Sequence, residues 1–559
     1  MYQPIIECVP NFSEGRDMKI IKQITDEIEA VEGVRLLDVD PGKATNRTVV
    51  TFVGHPDVVI EAAYRAIKKA GELIDMTKHK GEHPRMGATD VCPLIPISGI
   101  TMEETASYAH KLGKRVGEEL NIPVYMYESA ATQPERKNLA HIRAGEYEGF
   151  AAKIKDGRWK PDYGRAEMNT HSGTTAIGAR DFLIAYNINL NTTSERRANS
   201  IAFDVREVGR VKTNDKGKPV LDENGDPVRI PGKCKSVKAI GWYIEEYGVA
   251  QISMNLTNIN DTPLHIAFDA CCTSATQRGM RVTGSELVGL VPKSVLTDAG
   301  KYFLKQQRRS VGVSERELIH IAVRTLGLDE LAPFDPDKKV IEYLLEDKAA
   351  RPLAHKTLLE FADATAGEGP VPGGGSASAY VGVLGVSLGT MVANLSSHKK
   401  GWDDKIDFFS EWAEKGQAIK DKLMMLVDAD TSAYNKIIEA IRMPKTNDEE
   451  KVLRSQALNA ATKGAIEVPL EVMRVSLSSL ELIKEMATHG NPNSVSDAGV
   501  GAICVRTAVE GAGLNVKINC VGFKDTEYVE QAKAQVYEML EKAKTMEQEI
   551  LAIVEKLME

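Results

Sequence analysis

The sequence predicts an α+β N-terminal part, made of two ferredoxin-like α/β sandwich subdomains, followed by an all-α helix-bundle domain. Three observations predict it. Apolar patterns in the order β-α-β-β-α-β, the split βαβ plan, run from residue 5 to residue 97. The same order returns between residues 181 and 291 with no repeated sequence. Beyond about Pro352 strand alternation gives way to helical period almost throughout. The expected division is residues 1–180 and 181–332 for the two subdomains, 333–351 for a linker and 352–559 for the bundle. The Ala332-Pro333-Phe334-Asp335-Pro336-Asp337 break marks the linker. At 559 residues each part is long enough to bury a core.

Residues 5–9 read as a short buried strand, and Pro10 to Gly15 as a turn with Ser13 as a helix cap. A helix follows to about Ala30, with Ile20, Ile21, Ile24 and Ile28 on one side. Residues 34–39 and 47–53 are strands joined through Asp40-Pro41-Gly42. A helix from Pro56 to about Ile74 begins with a proline, which the first turn tolerates. Residues 91–97 form the fourth strand. Thr101-Met102-Glu103-Glu104 is a capping box before the next helix, and residues 124–127 add a strand. In the second subdomain, residues 181–191 alternate, with Phe182, Ile184, Tyr186, Ile188 and Leu190 on one face. A helix over 194–208, a polar insert with an Asn224-Gly225 turn, strands over 237–244 and 249–256, a helix over 263–278 and a strand near 287–291 follow. In the C-terminal third only residues 515–521 read as a strand, and a helix from about Glu527 places Val536, Leu540, Ala543, Ile550, Val554 and Leu557 on one face.

Composition excludes several classes. The net charge of -9 and the absence of a basic domain argue against nucleic acid as a partner. Seven scattered cysteines without a C-x-x-C pair fit a reducing cytoplasm and give no metal-site signal. The first residues lack a basic segment followed by an apolar one, so no signal peptide is expected. Residues 376–395 carry no charge and are long enough to cross a bilayer. Their glycines, serines and threonines instead suit close helix packing, so a central bundle helix, and no membrane, is expected.

Two stretches concentrate chemistry. His79 to Asp90 places two histidines, acids and bases between Gly81 and Gly87, ahead of a strand, where catalytic side chains are commonly mounted. His83 titrates near neutrality when unperturbed. Asp40, at a strand end, is expected to meet it, hydrogen-bonding the imidazole and raising its pKa. In the C-terminal third, Pro372-Gly373-Gly374-Gly375-Ser376 exposes backbone N–H groups at a helix start to an anion, without the lysine of a nucleotide P-loop. Asp428-Ala429-Asp430 lies on an otherwise apolar helix, one acid expected inward and the other outward.

These motifs resemble the bifunctional formimidoyltransferase-cyclodeaminases of histidine breakdown and folate one-carbon metabolism. The resemblance rests on Glu7-Cys8-Val9-Pro10-Asn11-Phe12-Ser13-Glu14-Gly15, Thr45-Asn46-Arg47-Thr48-Val49, the His79 to Asp90 loop, Gly241-Trp242-Tyr243, Pro372-Gly373-Gly374-Gly375-Ser376 and Val427-Asp428-Ala429-Asp430. It implies transfer of the formimidoyl group of N-formimidoyl-L-glutamate to tetrahydrofolate, then closure to 5,10-methenyltetrahydrofolate with release of ammonia. It implies His83 as the catalytic histidine of transfer, Asp40 as its partner and Asp430 as the cyclodeaminase acid. Arg85 or Arg47 would pair with substrate carboxylates. Folate contacts would fall on Gly164, Arg165, His171, Ser172, Gly173 and Gly232, with Gly374 and Gly375 lining the second site. The stretch from Gly164 to Gly173 departs from the apolar, Trp-containing version of the animal enzymes. No metal and no tightly bound cofactor are implied; tetrahydrofolate, free or polyglutamylated, is a cosubstrate, and the chain is expected to form a homo-oligomer. The alternative is a transferase alone, with a formimidoyl or formyl donor, on a catalytically silent oligomerisation bundle.

Overall fold

The computed structural model describes residues 4–43, 45–81, 83–346 and 351–559. Outside it lie residues 1–3 of the N-terminal stretch, Ala44, Glu82 of the histidine loop and residues 347–350 of the expected linker. The chain forms two compact units, residues 1–295 with 326–344, and residues 296–325 with 345–559. Residues 296–325, which the sequence placed in the second subdomain, thus group with the helical part.

In the first unit, β1 (Ile5–Cys8), β2 (Asn11–Phe12), α1 (Met18–Glu29), β3 (Val34–Gly42), β4 (Arg47–Gly54), α2 (Pro56–Leu73) and β5 (Thr89–Ser98) realise the expected order. The strands pair antiparallel as β3-β4-β1-β5, with β2 continuing β1 between β4 and β5. α3 (Met102–Glu119), β6 (Val124–Glu128), α4 (Leu139–Arg143), α5 (Glu146–Lys153) and β7 (Thr175–Ala179) extend it, β7 lying parallel to both β5 and β6. One face of the sheet buries Ile6, Phe12, Phe52 and Leu94 against Ile24 and Ile28 of α1, Ala63 and Ile67 of α2 and Leu112 and Val116 of α3. The Thr101 capping box is present. Ser13 is not a cap: its hydroxyl donates to the Gly87 carbonyl at 2.7 Å, and Asp17 caps α1. A serine four residues ahead of the cap position cannot reach the free N–H groups of the first turn.

The second subdomain consists of β8 (Ile184–Leu190), α6 (Glu195–Val205), β9 (Arg210–Val211), β10 (Arg229–Ile230), β11 (Val237–Ile244), β12 (Val249–Leu256), α7 (Leu264–Thr276) and β13 (Val282–Val288). Its sheet order is β11-β12-β8-β13, the same plan. The last strand lies earlier than the expected 287–291, because Val282 to Val288 pairs along β8 and the chain turns at Gly289, whose φ is +78°.

α8 (Lys293–Gln306) and α9 (Glu315–Leu326) come next, then the short α10 (Pro336–Lys339) and α11 (Ile341–Leu345). The bundle follows: α12 (Leu358–Ala366), α13 (Gly374–Ser397), α14 (Ile406–Arg442), α15 (Asp448–His489), α16 (Val495–Asn519) and α17 (Thr526–Met558). α13, the uncharged stretch, is long and apolar enough to span a bilayer but is mostly buried here among α14, α15 and α16. Its glycines permit that approach. A Cβ on Gly385 would lie 2.7 Å from Val505 Cγ2, and one on Gly389 2.5 Å from Leu482 Cδ2. Residues 515–521 are not a strand: Val516 is buried on the last turns of α16, where tertiary packing overrides the β-branched preference. Leu557, expected on the buried face of α17, is exposed near the end of that helix.

Candidate functional sites

The loop from His79 to Ala88 is clamped from both sides. His79 Nε2 donates to the Asn46 carbonyl at 2.9 Å, and Asn46 Nδ2 donates to the Lys80 carbonyl at 2.9 Å. Ala88 N donates to the Ser172 carbonyl at 2.8 Å and Thr174 N to the Met86 carbonyl at 3.0 Å. Gly81 and Gly87 make this possible: Cβ atoms there would fall 2.3 Å from Thr45 O and 2.1 Å from Thr174 O. Ser172 and Gly173 therefore back the His83 loop directly. His171 is exposed beside them, its Nδ1 3.7 Å from Asp75 Oδ1. Gly164 instead sits against Gly117 of α3 with φ +84°, Arg165 is exposed next to it, and Gly232 packs on the Arg206 carbonyl in the second subdomain.

His83 does not hydrogen-bond to Asp40. Its Nε2 is 2.8 Å from Arg47 Nη1, and its Nδ1 is buried without a hydrogen-bond partner among the described residues. The reason is the β3–β4 hairpin. Arg47 opens β4 opposite Gly42, and a register shift between Leu36 and Asp38 resets which residues β3 presents, leaving Asp40 exposed opposite Val49. Asp40 acts on Arg47 through space. The expected rise in the His83 pKa is reversed as well. Burial first, then the Arg47 and Arg143 charges, push it down to about 3, so the imidazole is neutral at physiological pH.

Arg85 is not free for substrate. Its guanidinium forks onto Glu148 at 2.6 and 2.8 Å, reaches Glu146 at 3.0 Å and donates to His79 Nδ1 at 3.2 Å. Arg47, in contrast, has no carboxylate at ion-pair distance among the described residues. Asp90 and Arg143 complete the cluster. The Asp90 carboxylate is fully buried, accepts from Arg143 Nη2 at 2.6 Å and from Met86 N at 3.0 Å, and burial raises its pKa. Sequence reasoning missed Arg143; it follows a polar loop in a five-residue helix and meets Asp90 across fifty-three positions, which leaves no local signal.

In the bundle, both acids of Asp428-Ala429-Asp430 point inward, contrary to the expectation of one outward. Asp428 is buried and accepts from Leu353 N at 2.8 Å and Ala354 N at 3.0 Å, tying down the segment before α12. Asp430 serves the start of α13. Its Oδ2 accepts from Ser376 N at 3.0 Å and lies 3.3 Å from Ser376 Oγ. A carboxylate here satisfies an N–H that the helix itself leaves free. Gly375 is the residue that lets it in, since a Cβ would fall 2.1 Å from Asp430 Oδ1. A Cβ on Gly374 would lie 3.3 Å from Asn515 Nδ2. Asp430 Oδ1 takes no hydrogen bond among the described residues. Burial raises the Asp430 pKa, opposed by the Ser376 hydroxyl and N–H. A carboxyl group held toward its protonated form beside a helix start can deliver a proton to a leaving group.

Comparison with known proteins covers the chain in tandem. Residues 5–180 match the Formiminotransferase domain, N-terminal subdomain; residues 185–346 match the Formiminotransferase domain; residues 357–538 match Formiminotransferase-cyclodeaminase. The chain is 41% identical over 552 residues to a formimidoyltransferase-cyclodeaminase of Dictyostelium discoideum, covering 98% of both chains. It is 41% identical over 557 residues to one of Gallus gallus, covering 99% of both. A glutamate formimidoyltransferase of Streptococcus pyogenes serotype M1 is 40% identical over 301 residues, which is 54% of this chain and 93% of that protein.

Proposed function

This chain belongs to the formimidoyltransferase-cyclodeaminase family, and we propose that His83 and Asp430 carry the two reactions of this bifunctional folate enzyme. It transfers the formimidoyl group of N-formimidoyl-L-glutamate to tetrahydrofolate. It then cyclodeaminates 5-formimidoyltetrahydrofolate to 5,10-methenyltetrahydrofolate and ammonia. In the first step N5 bonds to the amidine carbon and the bond from that carbon to the glutamate nitrogen breaks. His83 takes the N5 proton and returns it to the departing nitrogen. Arg47 reads a donor carboxylate, and Asp40 supports the Arg47 charge from the neighbouring strand. Ser172, Gly173 and His171 form the folate side of the loop, with Gly164, Arg165 and Gly232 as further contacts. In the second step N10 bonds to the same carbon and its proton passes to the imino nitrogen, and Asp430, held in place by Ser376 above Gly374 and Gly375, supplies the further proton with which that nitrogen leaves as ammonia as its bond to the carbon breaks. The observation that supports the assignment is that burial drives His83 in the first site and Asp430 at the start of α13 toward their neutral forms, a base in one and an acid in the other.

We further infer a cytoplasmic homo-oligomer that holds folate only as an exchanging cosubstrate. All seven cysteines are free, and α16 exposes Val500, Ile503, Leu514 and Ile518 at helical spacing. Light scattering on the full chain tests the oligomer. A near-UV time course with formimidoylglutamate and tetrahydrofolate tests the chemistry. Appearance of the methenyl chromophore supports both sites. Glutamate release without it leaves a transferase on a silent bundle, and no glutamate release overturns the reading.

A further inference from the structure

The hydrogen bond between Arg47 Nη1 and His83 Nε2 at 2.8 Å fixes more than a distance. A guanidinium has no acceptor and keeps its proton, so it is the donor and the Nε2 lone pair accepts. The ring proton is then on Nδ1, and the nitrogen that would take a proton from substrate is already occupied. Arg47 is itself poorly compensated. Burial lowers its pKa; Asp90 is spent on Arg143, and Asp40 is exposed on β3. Buried charges are ordinarily paired, and here the short partner is a neutral ring. Arg143 adds a second unused donor, since its Nε is buried without a partner among the described residues.

Resting on the assignment of His83 as the base of transfer, we propose that Arg47 is a substrate-released latch: a carboxylate of the glutamate end of the donor docks on Arg47 and Arg143, draws Arg47 off Nε2, and frees the base only when the donor is bound. The charged groups around the ring fit this. Arg47 faces it from β4 and Arg143 from α4, both opposing its protonation, while Asp90 on β5 and Asp40 on β3 act through the arginines. A carboxylate between the two guanidiniums cancels much of their field, so the ring gains proton affinity at the moment it is uncovered. Glutamate departing after the proton has been returned takes its carboxylates with it, and the latch closes again.

The test is ¹⁵N NMR of histidine-labelled full-length protein, with His83 assigned by His83→Asn, titrated with and without glutarate as a dicarboxylate lacking the formimidoyl group. In the free protein His83 stays neutral, with Nδ1 protonated, from pH 8 to below pH 5. Saturating glutarate moves the Nε2 resonance and raises the apparent pKa by about one unit or more. Arg47→Gln raises it without glutarate, and the donor KM rises roughly tenfold while kcat changes less. Arg143→Gln gives the same direction with a smaller shift and serves if Arg47→Gln does not fold. A His83 that titrates near 6.5 in the free wild type, or that ignores glutarate, overturns the latch. Glutamate release by the same preparation separates the two failures: an active enzyme with an unlatched His83 sinks only the latch, and an inactive one sinks the functional reading.

Discussion

The site at the strand ends of the sheet and the bundle site apply one force to opposite ends. Burial is the leading influence on both His83 and Asp430, and in each it favours the uncharged form. For the imidazole the uncharged form is a base; for the carboxyl it is an acid. The neighbours then differ in kind. His83 lies among guanidiniums that reinforce burial, whereas Asp430 accepts two hydrogen bonds from Ser376 that oppose it. Burial therefore does not set a proton-transfer role; the chemical type of the buried group does.

The comparison breaks most directly on single variants. His83→Ala is expected to lower glutamate release by roughly 10²–10⁴-fold and to leave cyclisation of supplied 5-formimidoyltetrahydrofolate intact. Asp430→Asn is expected to do the reverse, with ammonia release lost and glutamate release kept. If either variant loses both activities, the sites are not independent and the comparison falls.

Gly375→Ala sharpens the bundle half. Its Cβ would stand 2.1 Å from Asp430 Oδ1, so the carboxylate must move off the α13 start. Ammonia release should drop at least about tenfold, with a stability loss of about 1–3 kcal/mol. Gly374→Ala, facing only Asn515 Nδ2 at 3.3 Å, is the milder control. Equal effects in urea melts and ammonia assays would discard the idea that the Gly375 position is shaped by Asp430.

Asp428→Ala separates structure from chemistry on the same helix. It strands the Leu353 and Ala354 N–H groups and should cost about 1–3 kcal/mol in urea unfolding. Both activities should persist below the melting range, and their loss would make Asp428 a participant.

The smallest effect concerns pH. Glu7 is buried on β1, and burial, only partly offset by Arg180, pushes its pKa up to about 7. The folded state then holds this proton where the unfolded chain, with an ordinary value near 4.5, has released it. The stability it contributes is full below pH 4.5 and is lost as pH rises toward 7. His83 has the opposite sign: its contribution is present above pH 6.5 and is lost as pH falls toward 3. Glu7→Gln should flatten the first window in urea midpoints taken at pH 4.5, 5.5 and 7. An unchanged slope would mean that Glu7 is ionised throughout, paired with Arg180.

Local pattern carried most of the fold. The apolar faces of α2 and α3, the Thr101 capping box and the alternation of Ile184, Tyr186, Ile188 and Leu190 all reside within single elements, where side-chain period reports directly on burial. The types of residue at each site were legible for the same reason: His83 between Gly81 and Gly87, and Asp430 on an apolar helix, stand out from their neighbours. Only tertiary structure decided their partners. The register shift in β3 took Asp40 away from His83 and the β3–β4 hairpin put Arg47 there. α4 brought Arg143 to Asp90, α5 brought Glu148 to Arg85, and the crossing of α13 and α14 put Ser376 on Asp430. The physical reason is range. Periodicity and capping are settled within a few residues of chain, whereas a hydrogen bond across fifty positions depends on strand register and helix crossing, which no short stretch of sequence encodes.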